Sequence, residues 1–325
     1  MKGALVGFGK IAESTHLPAL TQAGLEVAAV VDAVPARREA AAAAIPGARV
    51  SDSLAAILGD VAFVDICTPP HLHFESAMMA ADAGVHVLCE KPLVLVREHA
   101  QALREIAEQR GVVITCMHNW TQAPILIRAR ELARELGPVR QMELVTLRTQ
   151  PAGVAGDTAN WRIDPQKAGG GILYDHGWHG MSILLRTIGD QATSVRCHAE
   201  KRKYRDLPVE DTADVEVVFA GGARGRFQAT WASDERRNRG TIECAAGTIE
   251  IDNDVLRSPR GEERFAESLA GGGYRPDWTA GIVREFRAEI EGAAPRGSGL
   301  AEAITCFALL QAAYDSAKRN SVILL

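Results

Sequence analysis

The run Lys2-Gly-Ala-Leu-Val-Gly7-Phe-Gly9-Lys10-Ile11-Ala12 constrains the fold more than any other stretch of this chain. Its apolar start predicts a short strand, and its glycines set a tight turn before a helix-like segment that runs to about Ala23. The next strand, Val27 to Val31, ends at Asp32, 20 residues after Ala12. This is the first βαβ unit of a dinucleotide-binding fold. Gly7 permits the turn, Gly9 lets the backbone approach a pyrophosphate, and Ala12 allows close helix packing. Lys10 and Ile11 open the helix whose N–H groups and positive dipole end receive phosphates. Asp32 stands where a carboxylate accepts hydrogen bonds from a ribose diol, which favours NAD. Arg37 and Arg38 follow closely and keep NADP open, because a guanidinium accommodates a 2′-phosphate.

Strands and helices go on alternating. Ala36–Ala44 reads as a helix and Val61–Cys67 as a strand ending in Thr68-Pro69-Pro70; Phe74–Ala83 is helical with Gly84 as its stop. Arg97–Gln109 is another helix, closed by Gly111, and Val112–Cys116 the sixth strand. This order specifies a doubly wound parallel sheet over residues 1–120. Thr68, Pro69 and His73 follow a strand end and are candidates for cofactor contact; for His73 a role in starting the helix is the alternative. Between these elements, Val85–Cys89 runs without a turn residue into Glu90-Lys91-Pro92. The proline holds Lys91 on an extended backbone at the strand's C-terminal end, where ligands sit in open α/β sheets. Taken alone, Lys91 reads more readily as a surface lysine closing a strand, because lysines are mostly exposed.

From residue 121 to 325 the pattern changes. Pro124–Leu136 is helical, Arg140–Gln150 a long strand, and residues 151–171 a Gly- and Ala-rich loop of a length that usually carries function. A helix is predicted from about Trp178 to Arg186. Three alternating runs follow, Asp214–Phe219, Arg224–Trp231 and Arg239–Ala245, as in an antiparallel sheet with one packed face and one polar face. Asp277–Glu291 and Leu300–Lys318 are helical patterns, and Val322–Leu325 a short strand.

Composition excludes several classes of partner. With 24% charged residues, a net charge of −5 and a pI near 6.0, nothing points to nucleic acid or an anionic membrane. No apolar stretch reaches the length of a bilayer span and the N-terminus shows no cleavage pattern, so a cytoplasmic location is expected. The six cysteines form no C-x-x-C pair, so neither a disulfide framework nor a zinc site is expected, and they read as buried thiols.

Four segments coincide in this chain: Gly7-x-Gly9-x-x-Ala12, Cys67-Thr-Pro-Pro70, Glu90-Lys91-Pro92 and Gly169-Gly-Gly-x-x-x-Asp175-x-Gly-x-His179. Together they resemble the glucose–fructose oxidoreductase / inositol dehydrogenase (Gfo/Idh/MocA) family of NAD(P)-dependent enzymes, along the whole chain to Ala312-Ala-Tyr-Asp-Ser316. The resemblance implies a Rossmann domain followed by an α/β domain with a large, open, mainly antiparallel sheet, through which dimers or tetramers form. It also implies a sugar, sugar acid or cyclitol substrate. The family's catalytic lysine, Asp and His map onto Lys91, Asp175 and His179, with Glu90 beside the cofactor. Two positions depart from the family pattern: Ser182 stands where an Asp is usual, and Trp120, beside Asn119, where an Arg is common. Both bear on substrate polarity. Relatives that use NAD for transient oxidation in glycoside cleavage or elimination, and non-catalytic dinucleotide-binding regulators, define the competing activities.

The residue types suit alcohol oxidation. His179 is a base of suitable pKa, Lys91 a donor for the developing alkoxide, and Asp175 a partner for substrate hydroxyls or for the imidazole one helical turn away. Trp161 and Arg162 are candidate substrate contacts through stacking and hydrogen bonding, as are Asn119 and Trp120. Each has a plainer role to compete with: Asp175 as a helix cap, His179 as a core histidine, Trp161 and Arg162 as pins for the loop. Read as metal ligands, Asp175, His176 and His179 lack a further Cys or Asp/Glu cluster to complete a coordination shell, and nicotinamide chemistry with a lysine requires no metal, so none is expected.

Overall fold

The computed structural model describes residues 1–151, 153, 160–272 and 274–325; the middle of the loop after Gln150 and residue 273 lie outside the described set. The chain divides into two units, Met1–Asn119 with Gly273–Thr305 and Trp120–Gly272 with Cys306–Leu325. The sequence reading grouped everything after residue 120 together. The helix Pro276–Ile290, however, packs in the first unit, where Ala280, Ile282, Val283 and Phe286 share a core with Leu5, Leu20 and Phe63.

In the first unit, strands β1 (Lys2–Val6), β2 (Glu26–Val31), β3 (Arg49–Ser51), β4 (Phe63–Ile66), β5 (His86–Cys89) and β6 (Ile114–Cys116) form a parallel sheet in the order β3-β2-β1-β4-β5-β6. Helices α1 (Leu17–Gln22), α2 (Pro35–Ala44), α3 (His73–Asp82) and α4 (Arg97–Arg110) connect them. Strand order reverses between β1 and β4, so the residues after those strands, Gly7 and Thr68, flank the crevice where such sheets bind ligands. Gly7 has φ +89°, and a Cβ there would lie 3.1 Å from the Cys67 carbonyl carbon and the Thr68 nitrogen. Only glycine meets both conditions.

A chain of buried polar groups runs beneath this crevice. His16, fully buried at the end of a π-helical turn over Ala12–His16, places Nδ1 2.8 Å from Asp65 Oδ2 and Nε2 2.9 Å from Glu90 Oε1. Glu90 Oε2 in turn accepts the Lys91 N–H at 2.9 Å. Burial alone would lower the His16 pKa, but the charge and hydrogen bond of Asp65 outweigh it and hold the imidazole protonated well above its usual range. Burial likewise opposes ionisation of Glu90, yet the hydrogen bond and charge of His16, with Lys91, hold its carboxyl below the usual range. The six cysteines are buried and unbridged, and burial pushes the Cys67 thiol up to about 12.

The second unit is built on nine strands among the described residues: β7 (Val139–Leu147), β8 (Ala192–Glu200), β9 (Thr212–Phe219), β10 (Arg224–Thr230), β11 (Arg237–Cys244), β12 (Gly247–Asp252), β13 (Val255–Ser258), β14 (Gly261–Arg264) and β15 (Ile323–Leu324). Their order is β14-β13-β12-β11-β7-β10-β9-β8-β15, antiparallel except for the central β7/β10 pair. Phe227 and Ala229 point to the packed face as the alternation predicts. The opposite face is polar, with Arg226 paired to Asp214 at 2.5 Å and Gln228 donating to the same carboxylate at 2.8 Å.

Helices α5 (Pro124–Glu135), α6 (Pro165–Ala168) and α7 (Ile172–Ile188) belong to this unit. α7 starts six residues before the predicted Trp178, because its first N–H groups find a partner far away in sequence. The Glu210 carboxylate accepts from Gly171 N at 3.1 Å and Leu173 N at 3.0 Å, and is itself held by the Tyr314 hydroxyl at 2.7 Å. The glycine run before the helix is a consequence of this crowding: a Cβ on Gly170 would lie 2.1 Å from the Tyr314 oxygen, and one on Gly171 2.0 Å from the Glu210 carbonyl oxygen. Further along, a Cβ on Gly180 would sit 2.4 Å from the Phe227 ring, so this glycine lets α7 lie close against β10.

Two expectations follow. His16→Ala leaves the buried Asp65 and the part-buried Glu90 carboxylates without their shared partner and costs about 3–5 kcal/mol in urea unfolding. In the wild type, the His16 contribution is complete below about 6.5 and is lost as pH rises through the raised folded-state value, whereas that of Glu90 is complete above about 4.5 and is lost as pH falls through the lowered one. Stability from this chain therefore peaks between those two pH values. Gly180→Ala overpacks α7 against Phe227 and lowers stability by about 1–3 kcal/mol, measured by thermal or denaturant unfolding.

Candidate active site

In the first unit, the residues singled out for a dinucleotide gather where strand order reverses. Among the described residues, nothing lies within 4 Å of the point where a Cβ on Gly9 would project, which leaves its backbone open. Asp32, 6% exposed at the end of β2, accepts N–H bonds from Phe8 and Val34, both at 2.8 Å, which orients its carboxylate. Arg37 lies 3.8 Å from that carboxylate, and Arg38 donates to the Asp32 carbonyl at 2.8 Å. Thr68 Oγ1 is buried with no partner among the described residues. An open glycine backbone, an oriented carboxylate and a hydroxyl without a partner among the described residues suit a nicotinamide dinucleotide, whose pyrophosphate Gly7 and Gly9 would receive and whose ribose Asp32 would hold.

The other candidates of this unit divide in kind. Lys10 is exposed, 5.0 Å over the Tyr274 ring, while Ile11 packs on the core. Pro69 precedes a 3-10 turn over Pro70–Leu72. His73 is 1% exposed, with Nδ1 2.7 Å from Pro92 O and Nε2 2.7 Å from Thr68 O. It ties the Thr68 loop to the segment after Lys91, and burial, its largest influence, lowers its pKa despite those carbonyls. Glu90 is engaged with His16 and the Lys91 N–H, as described above. The Lys91–Pro92 peptide is cis. Asn119 is buried and donates to Thr279 Oγ1 at 3.3 Å.

In the second unit, Asp175 and His179 lie four residues apart on α7 and so share one face of the helix. Since α7 begins at Ile172, Asp175 lies inside the first turn and does not occupy the cap position. His179 is 7% exposed and stacks on Trp120 at 4.9 Å between ring centroids and 13° between planes. His176 meets the same indole edge-on at 5.8 Å and lies 3.5 Å from the Asp175 carboxylate. Trp120 therefore brings both histidines together. Ser182, the departure from the usual Asp, is fully buried and donates to the His179 carbonyl at 3.0 Å. Trp161 and Arg162 form a short helical turn in which the guanidinium lies 4.4 Å over the indole and Asn160 caps the Arg162 N–H at 3.1 Å. An apolar cavity lined by Trp120, Leu144, Gly180, Phe227 and Asn238 lies between α7 and the sheet; its walls include neither Asp175 nor His179.

Sequence reasoning missed His16, Asp65, Glu210 and Arg148. Asp65 had a readable signal, an aspartate inside the apolar strand Phe63-Val-Asp-Ile66, where an unpaired carboxylate would be costly. Glu210 had none, because its helix-capping role is set across a separation of 37 to 39 residues.

Comparison with known proteins accounts for this arrangement. Residues 1–118 match the model of the oxidoreductase family with an NAD-binding Rossmann fold, and residues 126–250 match the GFO/IDH/MocA C-terminal domain. A putative UDP-kanosamine synthase oxidoreductase subunit of Amycolatopsis mediterranei is 30% identical over 98% of this chain and 96% of its own length. D-xylose 1-dehydrogenase (NADP(+)) 2 of Haloferax volcanii is 27% identical over 99% of both chains. Among solved structures, GenD2 from gentamicin A biosynthesis, in complex with NAD, superposes with a TM-score of 0.84 at 27% identity, covering 100% of this chain and 96% of that one. The chain belongs to the GFO/IDH/MocA family and is an NAD(P)-dependent oxidoreductase with a nicotinamide dinucleotide-binding Rossmann unit.

Proposed function

We propose that the chain transfers a hydride between nicotinamide and a secondary alcohol of a sugar, sugar acid or cyclitol, with Lys91, Asp175 and His179 as its catalytic residues. The observation that carries this reading is the α7 pair: Asp175 and His179 on one helix face, the imidazole stacked on Trp120. The relatives named above support a sugar substrate, because their names describe enzymes of sugar chemistry.

Each group has a defined task. The nicotinamide, when bound, supplies the two-electron acceptor. An imidazole nitrogen of His179 takes the hydroxyl proton, and the Trp120 ring fixes the plane in which it can do so. The Lys91 ammonium donates to the reacting oxygen and stabilises its negative charge, on a backbone fixed by Glu90 and the following proline. Asp175 accepts hydrogen bonds from neighbouring substrate hydroxyls. Trp161 and Arg162 offer an aromatic face and a guanidinium to the sugar, and Asn119 a side-chain amide. Asp32 selects the dinucleotide by accepting the ribose diol and repelling a 2′-phosphate, so NAD is the preferred cofactor. A second copy of the chain associates through the polar face of the sheet, where charged side chains such as Arg226 and Asp214 alternate.

Lys91→Ala is expected to leave the Kd for NADH within about threefold, by fluorescence titration, and to lower kcat about 10²–10³-fold in an NADH-forming polyol screen. Turnover at the wild-type rate would remove Lys91 from the catalytic group. Asp32→Ser removes the charge that repels a 2′-phosphate beside Arg37 and Arg38. It should shift the NAD/NADP ratio of kcat/KM toward NADP by about tenfold or more; an unchanged ratio would show that Asp32 does not select the cofactor.

A further inference from the structure

Arg148 follows β7 directly and is 3% exposed. Its guanidinium is held on one side only. Nη1 donates to Leu147 O at 2.7 Å and to the Asn238 side-chain oxygen at 3.2 Å, and reaches Arg237 O at 3.5 Å. Nε and Nη2 are buried and have no hydrogen-bond partner among the described residues. These two nitrogens form the opposite edge of the group, the edge whose two parallel N–H bonds match the two oxygens of a carboxylate.

Such an arrangement is costly without a ligand. A buried donor left unsatisfied costs about 1–3 kcal/mol, and a buried charge without a counter-ion costs more. No carboxylate of the described residues lies within ion-pair distance of Arg148. Burial pushes its pKa down to about 10, the nearby Arg236 adds to this and Asp175 partly offsets it, so the group remains a cation at neutral pH. Its surroundings are those of the α7 pair: the guanidinium carbon lies 5.7 Å from the ring centre of Trp120, the same indole on which His179 stacks. A neutral hydroxyl would take one N–H of this edge. A planar carboxylate takes the two parallel N–H groups, one from Nε and one from Nη2, and supplies the missing counter-charge.

We propose that Arg148 is a carboxylate receptor that makes this enzyme select polyols bearing an acid group, of the uronic or aldonic acid class, over their neutral counterparts; the proposal rests on the reading of the chain as a polyol oxidoreductase. Nη1 serves the fold by pinning the ends of β7 and β11, and the Nε/Nη2 edge serves the ligand.

The test compares D-glucuronate with D-glucose, and D-xylonate with D-xylose, on the full chain with its dinucleotide. Wild type should show the higher kcat/KM for the acid of at least one pair. Arg148→Met should lower that value about 100-fold, as expected for two hydrogen bonds to a charged group, while the neutral sugar stays within about threefold. Arg148→Lys, which keeps the charge and loses the fork, should recover only part of it. A wild type that does not favour either acid, or a variant that loses activity on acid and neutral sugar equally, overturns the proposal; the second outcome would make Arg148 a positioning residue for Trp120 or Asp175. A thermal-shift arm separates this idea from the oxidoreductase reading. If D-glucuronate stabilises wild type but not Arg148→Met while no sugar forms NADH, the receptor stands and the activity fails. If neutral sugars turn over and neither acid is favoured, the activity stands and the receptor fails. Should Arg148→Met not fold, the wild-type preference and Arg148→Lys decide the matter.

Discussion

The first unit depends on His16 and the two carboxylates it joins. One imidazole links Asp65 in the middle of β4 to Glu90 at the end of β5, and it does so from the helix that follows the glycine turn. Three segments that would each be free to shift are thereby held by one buried cation. Its energetic weight comes from its setting: charges out of water are expensive singly and tolerable only when hydrogen bonded to one another. The same contact fixes the Glu90 side chain, whose second oxygen takes the Lys91 N–H. A residue in the interior thus sets the backbone that carries Lys91, the residue proposed to donate to the reacting oxygen.

The second unit relies on closeness. Glycines at 170, 171 and 180 are positions where a methyl group would meet Tyr314, Glu210 and Phe227, so the start of α7 and its middle are pressed against neighbours that no larger residue would allow. The Glu210 carboxylate then completes the helix start, and the helix carries Asp175 and His179 as a rigid pair. Precision of this kind comes from packing and capping acting together, because a helix end without its N–H partners frays.

Much of the architecture was legible in the chain. Alternating strand and helix patterns with glycine and proline punctuation anticipated the parallel sheet, and the helix boundaries of α2, α3 and α4 fall within about two residues of those read from periodicity. The dinucleotide turn was legible because it is local: turn, helix start and acidic residue follow one another within Gly7 to Asp32. Less legible were β8 and the short strands β12, β13 and β14, whose status depends on pairing with neighbours rather than on their own pattern. The early start of α7 was hidden for a related reason, since its cap comes from Glu210.

The sequence by itself determined the order of elements, the glycine turn for a dinucleotide, and the spacing that sets Asp175 and His179 on one helix face. These are properties of residues near one another along the chain, where backbone sterics and side-chain period act directly. Only the tertiary structure decided that helix 276–290 closes the first core, that Trp120 carries His179, that His16 bridges two carboxylates, and that one edge of the Arg148 guanidinium is unpaired among the described residues. Each of those depends on groups distant in sequence meeting in a low-dielectric interior, where the cost of an unmatched polar atom is set by what surrounds it.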